Sequence, residues 1–336
     1  MPEATPPPTH ISIVGTGHVV PETKLTSRDI DARNGWQAGH LEALCGVKSR
    51  FLCTKEDQID MAVAASQRAL NAAGLTPGDI DLVLGACAIG YQPLPATAPL
   101  VMQRLGMADG DAFGMDINST CLSFLSALDH AAAKITLGQA QRVLIVSSEV
   151  ASRALPWADH PEVAGLFGDG AGAAVVTTST QGAAIRAQLF QTAPSAYEAC
   201  QIGAGGTRFD FHADAADFAA HAQFRMDGKR LFRVTHAQFP AFFERLLTRA
   251  GWRLEDVGLV IPHQASPLAL RHMVERTALR AEQVVDIAAR YGNQIAASLP
   301  TALDIALRGG RIGPGCKVVM VGTSAGVSFG GMALEF

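Results

Sequence analysis

Hydrophobic residues along the chain follow two different periods. Short runs rich in Val, Ile and Leu indicate strands, and longer runs with apolar positions three or four apart indicate helices. The predicted strands cover 10–17, 79–88, 112–118, 142–150 and 172–178. The clearest predicted helices cover 59–74 and 121–138, each closed by a glycine that can end a helix. Strands and helices that alternate in this way predict a layered α/β protein.

The sequence also repeats itself. Residues 68–84 resemble 245–261, with a spacing of 177, and residues 127–148 resemble 302–323, with a spacing of 175. Two matches at nearly one spacing predict a duplicated α/β unit. The predicted organisation is a Pro-rich arm at 1–10, an N-terminal half at 11–180 and a C-terminal half at 181–336.

The duplication places two asparagines at equivalent turns. Asn118, in "DINSTC", and Asn293, in "YGNQIAASLP", lie 175 residues apart, each where a strand pattern gives way to a helix pattern. If the halves pack about a pseudo-twofold axis, the N-termini of both following helices point at one central site. Helix N-termini offer free N–H groups and positive partial charge. Such a site favours an anion, for example a thiolate or the oxyanion of an attacked thioester.

Composition narrows the possible partners. The chain has 336 residues, of which 48% are apolar and 17% charged, and its net charge is −4. These values predict a large interior and give no reason to expect nucleic acid or an anionic membrane as a partner. The apolar residues are scattered, and no uninterrupted run predicts a membrane span. The first ten residues, "MPEATPPPTH", lack the order of a secretory signal.

The cysteines suggest a reducing compartment and one candidate nucleophile. All six are spread along the chain without a CxxC pair, which argues against a zinc site and a disulfide framework and favours free thiols in the cytoplasm. Cys121 lies near the first turn of the predicted helix Leu122–Leu137, a position that lowers a thiol pKa and raises its nucleophilicity. A buried, inert thiol is the other interpretation of Cys121.

Two further side chains carry candidate chemistry. His263 follows the apolar strand "VGLVIP" and so emerges at the carboxyl end of a strand, where α/β proteins gather catalytic groups. A helix-capping or core histidine is the alternative. Asn293 follows Gly292, and a plain turn residue is its alternative. The Gly-rich segments "VGTGHVVP" and "FGDGAGAAVV" do not fit a dinucleotide fingerprint, because the first runs into a proline and the second precedes a strand.

With these residues in hand, the chain resembles the type III β-ketoacyl-acyl-carrier-protein synthases of the thiolase superfamily. The resemblance covers nearly the whole chain beyond the arm, and it is carried by "DINSTCLSF", "LFGDGAGAAVV", "PHQAS", "YGNQIAASLPTALD" and "GTSAGVSFGG". It implies a thiolase-like five-layered αβαβα fold built from two related halves, and a homodimer. It implies acyl and malonyl thioesters as substrates, bound to coenzyme A or to an acyl carrier protein, and no cofactor or metal.

The resemblance also assigns roles. Cys121 attacks an acyl thioester, and its own N–H forms an oxyanion hole with that of Ser324. His263 and Asn293 bind the carbonyl of a malonyl thioester and stabilise the enolate left when carbon dioxide departs. That carbanion then attacks the acyl group on Cys121 to give a β-ketoacyl product.

Further positions are implied for the substrates. Leu94, in "QPLPATAP", stands where the family often has a Phe that crosses the dimer interface to close the partner's acyl pocket, which predicts room for a longer or branched acyl group. Met226 and Gly228 are expected beside the pantetheine tunnel. Arg233 is expected to meet the phosphate of a carrier protein, with a solvated basic helix face as its alternative. Trp36 is expected to stack on an adenine.

Other functions remain open on the sequence alone. Acyl transfer from Cys121 to an alcohol or amine of a specialised metabolite keeps the fold and changes the acceptor. Head-to-head joining of two acyl chains without decarboxylation is disfavoured, because the relatives that do this carry Glu at the place of Leu94. A papain-like peptidase also uses Cys, His and Asn, but its local cysteine motif is absent. A non-catalytic partner subunit is disfavoured by the intact trio.

Overall fold

Two β-sheets with the same strand pattern form the centre of the fold. The computed structural model describes residues 8–179 and 183–336. The predicted boundary between the halves at 180/181 and most of the Pro-rich arm lie outside the described residues. Of the arm, Thr9 is described, and it forms an antiparallel bridge with Ile185 of the C-terminal half.

The elements follow the predicted alternation of strand and helix. The described strands are β1 (Ile11–Val19), β2 (Thr23–Thr26), β3 (Ser49–Leu52), β4 (Leu82–Gly85), β5 (Phe113–Asp116), β6 (Arg142–Glu149), β7 (Gly170–Thr178), β8 (Ala184–Thr192), β9 (Cys200–Gln201), β10 (Arg225–Met226), β11 (Leu259–Pro262), β12 (Lys317–Ser324) and β13 (Ser328–Glu335). The described α-helices are α1 (Ser27–Arg33), α2 (His40–Cys45), α3 (Gln58–Ala73), α4 (Thr97–Arg104), α5 (Ser123–Thr136), α6 (Pro161–Ala164), α7 (Ala215–His221), α8 (Gly228–Ala250), α9 (Pro267–Thr277), α10 (Ala288–Tyr291) and α11 (Ser298–Arg308).

The sheets repeat one topology. The N-terminal sheet has the order β1-β7-β6-β4-β5, and the C-terminal sheet has the order β11-β12-β13-β8. In each sheet two parallel strands, β6 and β4 or β12 and β11, lie beside an antiparallel pair. Val284 pairs in parallel with Val260 of β11, in the place that β5 takes beside β4. The predicted duplication is therefore present in the strand order.

The side chains of the central strands point alternately into two cores. On β6, Val143 and Ile145 pack in the core between the sheets, whereas Leu144 and Val146 pack against α3 in an outer core. On β12, Val318 and Met320 face the same middle core, and the alternate residues face α8. Both faces of each sheet are covered, which explains why these strands read as continuous apolar runs.

Helices α5 and α11 fill the space between the sheets. Both contribute fully buried Leu and Ala side chains to the middle core, and small residues allow two sheets and two helices to pack closely. The resulting layers are α3 with α4, the first sheet, α5 with α11, the second sheet, and α8 with α9. This is the predicted five-layered αβαβα fold. In the described part of the chain, no helix combines the length and hydropathy needed to cross a bilayer.

Candidate active site

The two predicted turns share one backbone conformation. A 3₁₀ turn at Thr120–Leu122 precedes α5, and another at Ile295–Ala297 precedes α11. Thr120 has a φ of 51° and Ile295 a φ of 49°, a left-handed conformation that residues other than glycine seldom adopt. The same strained backbone recurs at a spacing of 175, the spacing found in the sequence repeat. Backbone strain of this kind is concentrated at functional sites.

The same hydrogen bonds hold both turns. Oδ1 of Asn118 accepts the N–H of Thr120 at 2.8 Å, and Oδ1 of Asn293 accepts the N–H of Ile295 at 2.8 Å. In each half the first serine of the following helix also anchors the turn: Oγ of Ser123 accepts the Ser119 N–H at 2.9 Å, and Ser298 repeats this contact at 3.0 Å. The equivalence predicted for the two asparagines is confirmed at the level of individual atoms.

The turns meet at the interface between the halves. They contact each other, and each packs on a strand of the opposite half, the Thr120–Leu122 turn on β12 and the Ile295–Ala297 turn on β6. The expected convergence of two helix beginnings on one central site is therefore observed. Cys121 lies in the turn Thr120–Leu122, directly ahead of α5, which agrees with its predicted position near the first turn of a helix.

The thiol of Cys121 faces a cavity, but its pKa differs from the sequence prediction. Burial raises the pKa of Cys121, and the backbone N–H groups of Ala325 and of Cys121 itself offset this only in part. The expectation that the turn lowers this pKa was wrong, because desolvation of the sulfur outweighs the nearby N–H groups. The resting group is a thiol, which loses its proton during attack.

The C-terminal Gly-rich loop beside Cys121 contains the predicted donor Ser324 and its neighbour Ala325. The Ala325 N–H faces the Cys121 sulfur, whereas Ser324 ends β12 with its hydroxyl donating to the Ala325 carbonyl at 3.2 Å. The oxyanion role expected of Ser324 stays a prediction, and the N–H group that faces the sulfur is that of its neighbour Ala325. Strand residues alternate direction, so one step along the chain decides which N–H group points at the sulfur.

His263 is held at the carboxyl end of β11. It is 5% exposed, and its backbone N–H donates to the Val321 carbonyl at 2.8 Å. The next residue, Gln264, fixes the chain by donating to the carbonyls of Pro262 and Val285 and accepting the N–H groups of Ile287 and Ala288. Burial lowers the pKa of His263 to about 4, so the imidazole is neutral at physiological pH. Its Nδ1 has no partner among the described residues.

Asn293 is fixed by a close approach between two loops. Its N–H donates to the Leu166 carbonyl at 2.8 Å, and its carbonyl accepts the Gly168 N–H at 3.1 Å. A Cβ on Gly168 would lie 2.3 Å from the Tyr291 carbonyl oxygen, so only glycine allows this approach. This close approach explains why a glycine stands at position 168 in the "LFGDG" motif. Because Oδ1 of Asn293 is used by the turn, its Nδ2 is left to donate to a ligand.

One cavity of about 1150 Å³ connects these groups. Cys121, His263 and Asn293 all line it, together with the predicted tunnel residues Met226 and Gly228. Most of the remaining lining is apolar, as expected for a site that encloses an acyl chain and the linker of a thioester. The structure thus brings the three candidate catalytic side chains to one space.

Three predicted substrate residues do not line this cavity. Leu94 is 85% exposed at the surface. Trp36 packs in a small core with Leu25 and Leu41, its ring centroid 4.9 Å from that of His40. Arg233 is exposed on α8. Their predicted roles need a second subunit, a bound nucleotide or a carrier protein, and they stay predictions.

Some cavity-facing and buried groups were missed from the sequence. Cys200 lines the cavity, and burial raises its pKa to about 11. His236 and His272 line it as well, with Nδ1 of the first 2.9 Å from Nε2 of the second. Glu149 is fully buried at the end of β6, beside the Ile295–Ala297 turn. Only Glu149 has a sequence signal, since it stands 175 residues before Ser324 in the repeat.

Two family models match separate segments of the chain. Residues 115–193 match the model described as 3-oxoacyl-[acyl-carrier-protein (ACP)] synthase III, and residues 247–336 match the model of its C-terminal region. The first match contains Cys121. The second contains His263 and Asn293.

Individual relatives are similar over nearly the whole chain. A protein of Streptomyces coelicolor named beta-ketoacyl-[acyl-carrier-protein] synthase III 3 is 33% identical, with 96% of each chain covered. The crystal structure of 3-oxoacyl-[acyl-carrier-protein] synthase III from Aquifex aeolicus superposes with a TM-score of 0.86 at 32% identity, covering 97% of this chain and 100% of the other. The priming β-ketosynthase of the R1128 polyketide pathway superposes with a TM-score of 0.88 at 28% identity, covering 100% and 99%.

Proposed function

Because the chain belongs to the 3-oxoacyl-[acyl-carrier-protein] synthase III family, we propose that it catalyses a decarboxylative Claisen condensation between an acyl thioester and a malonyl thioester. The observation that carries this proposal is the placement of Cys121, His263 and Asn293 around one largely apolar cavity. The reaction needs a nucleophile, two neutral hydrogen-bond donors and room for an acyl chain. These three side chains and this cavity supply them.

The first half-reaction is acylation of Cys121. The sulfur attacks the thioester carbonyl, and the N–H groups of Cys121 and Ala325, which face the sulfur, bind the negative oxygen that develops. The intermediate collapses by breaking the bond to the donor sulfur, which leaves as a thiol with the proton lost by Cys121. A thiol with a raised pKa is protected from unwanted ionisation between turnovers, and its anion is a strong nucleophile once formed.

The second half-reaction uses His263 and Asn293. A malonyl thioester enters the cavity with its carbonyl oxygen accepting hydrogen bonds from the neutral imidazole and from Nδ2 of Asn293. The carbon–carbon bond to the carboxylate breaks, carbon dioxide leaves, and both donors stabilise the enolate. The carbanion attacks the acyl carbon on Cys121, a new carbon–carbon bond forms, and the cysteine sulfur departs as a thiolate, which takes a proton from solvent to restore the resting thiol. A neutral imidazole suits this step because it donates without protonating the carbanion.

The substrate-binding roles extend the proposal beyond this chain's cavity. Met226 and Gly228 line the route of the pantetheine arm, while Arg233 and Trp36 are proposed to meet the phosphate and the adenine of a donor outside it. Leu94, with 85% of its surface exposed, is proposed to close the acyl pocket of a second copy in a homodimer. The six free cysteines support a reducing cytoplasm as its location.

The alternatives receive less support. Acyl transfer to an alcohol or amine does not need the Asn293 donor, which the turn holds in place. Head-to-head condensation needs a base that Leu94 does not supply. The names of the relatives favour condensation with a carrier-protein substrate.

Mass spectrometry of the intact protein tests the proposal. Incubation with acyl-coenzyme A donors of graded length should add one acyl group to Cys121, and malonyl-carrier protein should then remove it with release of carbon dioxide. Cys121→Ala should abolish the label, and the matched variant Cys316→Ser, outside the cavity, should keep it. An acyl group that malonyl-carrier protein does not discharge, but a small alcohol or amine does, would overturn the proposal.

A further inference from the structure

Glu149 is a buried acid that the proposed mechanism does not use. It is the last residue of β6 and is 0% exposed, and no cation pairs with it in the part of the chain that the structure describes. Its Oε2 has no hydrogen-bond partner of ordinary geometry among the described residues. Burial raises the pKa of Glu149 to about 8. Such a costly group is not needed to fill a core, because an apolar residue would fill it better.

The contacts of Glu149 are backbone N–H groups beside the active site. Oε1 accepts the Ala88 N–H at 2.5 Å, and the N–H groups of Ile89 and Ala296 also face the carboxyl and lower its pKa. Ala88 and Ile89 line the cavity, and the Ala88 carbonyl accepts Nδ2 of Asn118. Ala296 is the middle residue of the turn that Asn293 anchors. One carboxyl group therefore links the cavity wall to the second turn.

The contacts of Glu149 can be compared with those of the equivalent residues in the other half. At a spacing of 175, Ala296 corresponds to Cys121, and Glu149 at the end of β6 corresponds to Ser324 at the end of β12. Each turn packs on the strand of the opposite half. In the first copy, the N–H groups of Cys121 and Ala325 face the Cys121 sulfur. In the second copy, the N–H of Ala296 faces a carboxyl oxygen that the protein itself provides.

We propose that Glu149 is a positioning residue, whose carboxyl group binds the Ala296 N–H, the counterpart of the Cys121 N–H, and thereby fixes the turn that presents Asn293 to the malonyl thioester. The proposal rests on the proposed function, since the reaction of Asn293 is the one that it supports. What matters is an acceptor oxygen at this place, because backbone N–H groups bind a carbonyl oxygen as well as a carboxylate. An acceptor therefore preserves the position, and an apolar residue of similar size loses it.

Three variants separate positioning from packing. Glu149→Leu keeps the volume and removes the acceptor, Glu149→Gln keeps both, and Ser147→Ala is the matched control. Ser147 lies on the same strand and its hydroxyl donates to the Ala86 carbonyl at 2.6 Å, so its loss removes a buried hydrogen bond in which the Asn293 turn takes no part. Each variant is assayed for acylation of Cys121 by acyl-coenzyme A and, separately, for carbon dioxide release from malonyl-carrier protein.

The proposal predicts a selective loss. In Glu149→Leu, decarboxylation should fall about 10- to 100-fold, the cost of misplacing a catalytic group by a fraction of an ångström to an ångström, while acylation stays within about threefold. Glu149→Gln should restore decarboxylation, and Ser147→Ala should leave the ratio of the two rates unchanged. Equal rates in Glu149→Leu and wild type, or a parallel fall of both rates in Leu and Gln variants, would overturn the proposal.

Two further outcomes keep the test decisive. If Glu149→Leu does not fold, Glu149→Asp takes its place: it retracts the acceptor by one carbon, and unchanged decarboxylation in it would count against positioning. If the wild-type protein itself releases no carbon dioxide from malonyl-carrier protein, the proposed function fails. A wild type that decarboxylates, with variants that do so equally well, refutes the role of Glu149 alone.

Discussion

Replacing Asn293 with aspartate isolates the hydrogen-bond donor of the amide from its structural role. Oδ1 of Asn293 already accepts the Ile295 N–H at 2.8 Å, and a carboxylate oxygen accepts it equally well. The turn is therefore kept. Only Nδ2 is lost, and in its place stands a second oxygen that repels the enolate.

The size of the effect follows from burial. Asn293 is 8% exposed and His263 is 5% exposed, so bulk water does not take the place of the missing donor. Loss of one oxyanion donor costs about 10²- to 10³-fold in rate, or about 2.7–4 kcal/mol of barrier. Repulsion by the carboxylate adds to this cost. We expect condensation to fall by at least about 100-fold while acylation of Cys121 stays within about threefold.

The assay follows both half-reactions in one preparation. Acylation is measured by mass spectrometry, and decarboxylation by labelled carbon dioxide from malonyl-carrier protein. Asn71→Asp, on the exposed side of α3, controls for the added charge. Condensation in Asn293→Asp within about tenfold of the wild-type rate would refute the donor role, and an equal loss of acylation would refute the separation of the two steps.

Three other changes have defined outcomes. The pKa of His263 is about 4 in the folded chain, against an ordinary value of 6.5, so below pH 6.5 the unfolded chain binds a proton that the folded chain does not and stability falls as the pH drops. Urea titration should show that the free energy of unfolding falls by about 2 kcal/mol between pH 7 and pH 5, and His263→Gln should not show this loss. Gly322→Ala should cost about 1–3 kcal/mol, because its Cβ would lie 2.6 Å from the His263 Cβ, whereas Gly313→Ala, with nothing within 4 Å, should cost little in thermal unfolding. Leu94→Phe should shorten the preferred acyl chain in a donor-length series, and the exposed control Leu137→Phe should not; an unchanged preference would remove Leu94 from the acyl pocket.

The strands and the duplication could be predicted because both leave local patterns. The runs of Val, Ile and Leu in β6 and β7 are buried on both faces, and their predicted bounds match the structure within two residues. The turn at Asn293 was found by its spacing from Asn118. Here the sequence carries the same local hydrogen-bonding chemistry twice, so the self-comparison located both copies.

Properties that depend on distant contacts were not predictable. Burial of the thiol by distant parts of the chain raises the pKa of Cys121, and no local sequence motif indicates that burial. The proposed oxyanion donor is a backbone N–H, which every residue except proline has, so the sequence distinguishes Ser324 from Ala325 only through strand direction. Leu94, Trp36 and Arg233 lie outside the cavity, and their roles, which involve partners on other molecules, stay predictions.

A crystal structure of the acyl-enzyme, trapped with the Asn293→Asp variant and a short acyl-coenzyme A, tests the central claim most directly. The account predicts an acyl group on the Cys121 sulfur, with its carbonyl oxygen about 2.7–3.1 Å from the N–H groups of Cys121 and Ala325 and the chain within the cavity. An acyl group on Cys200, or a carbonyl oxygen turned away from both N–H groups, would contradict the assignment of Cys121 as the nucleophile and of these N–H groups as its oxyanion donors.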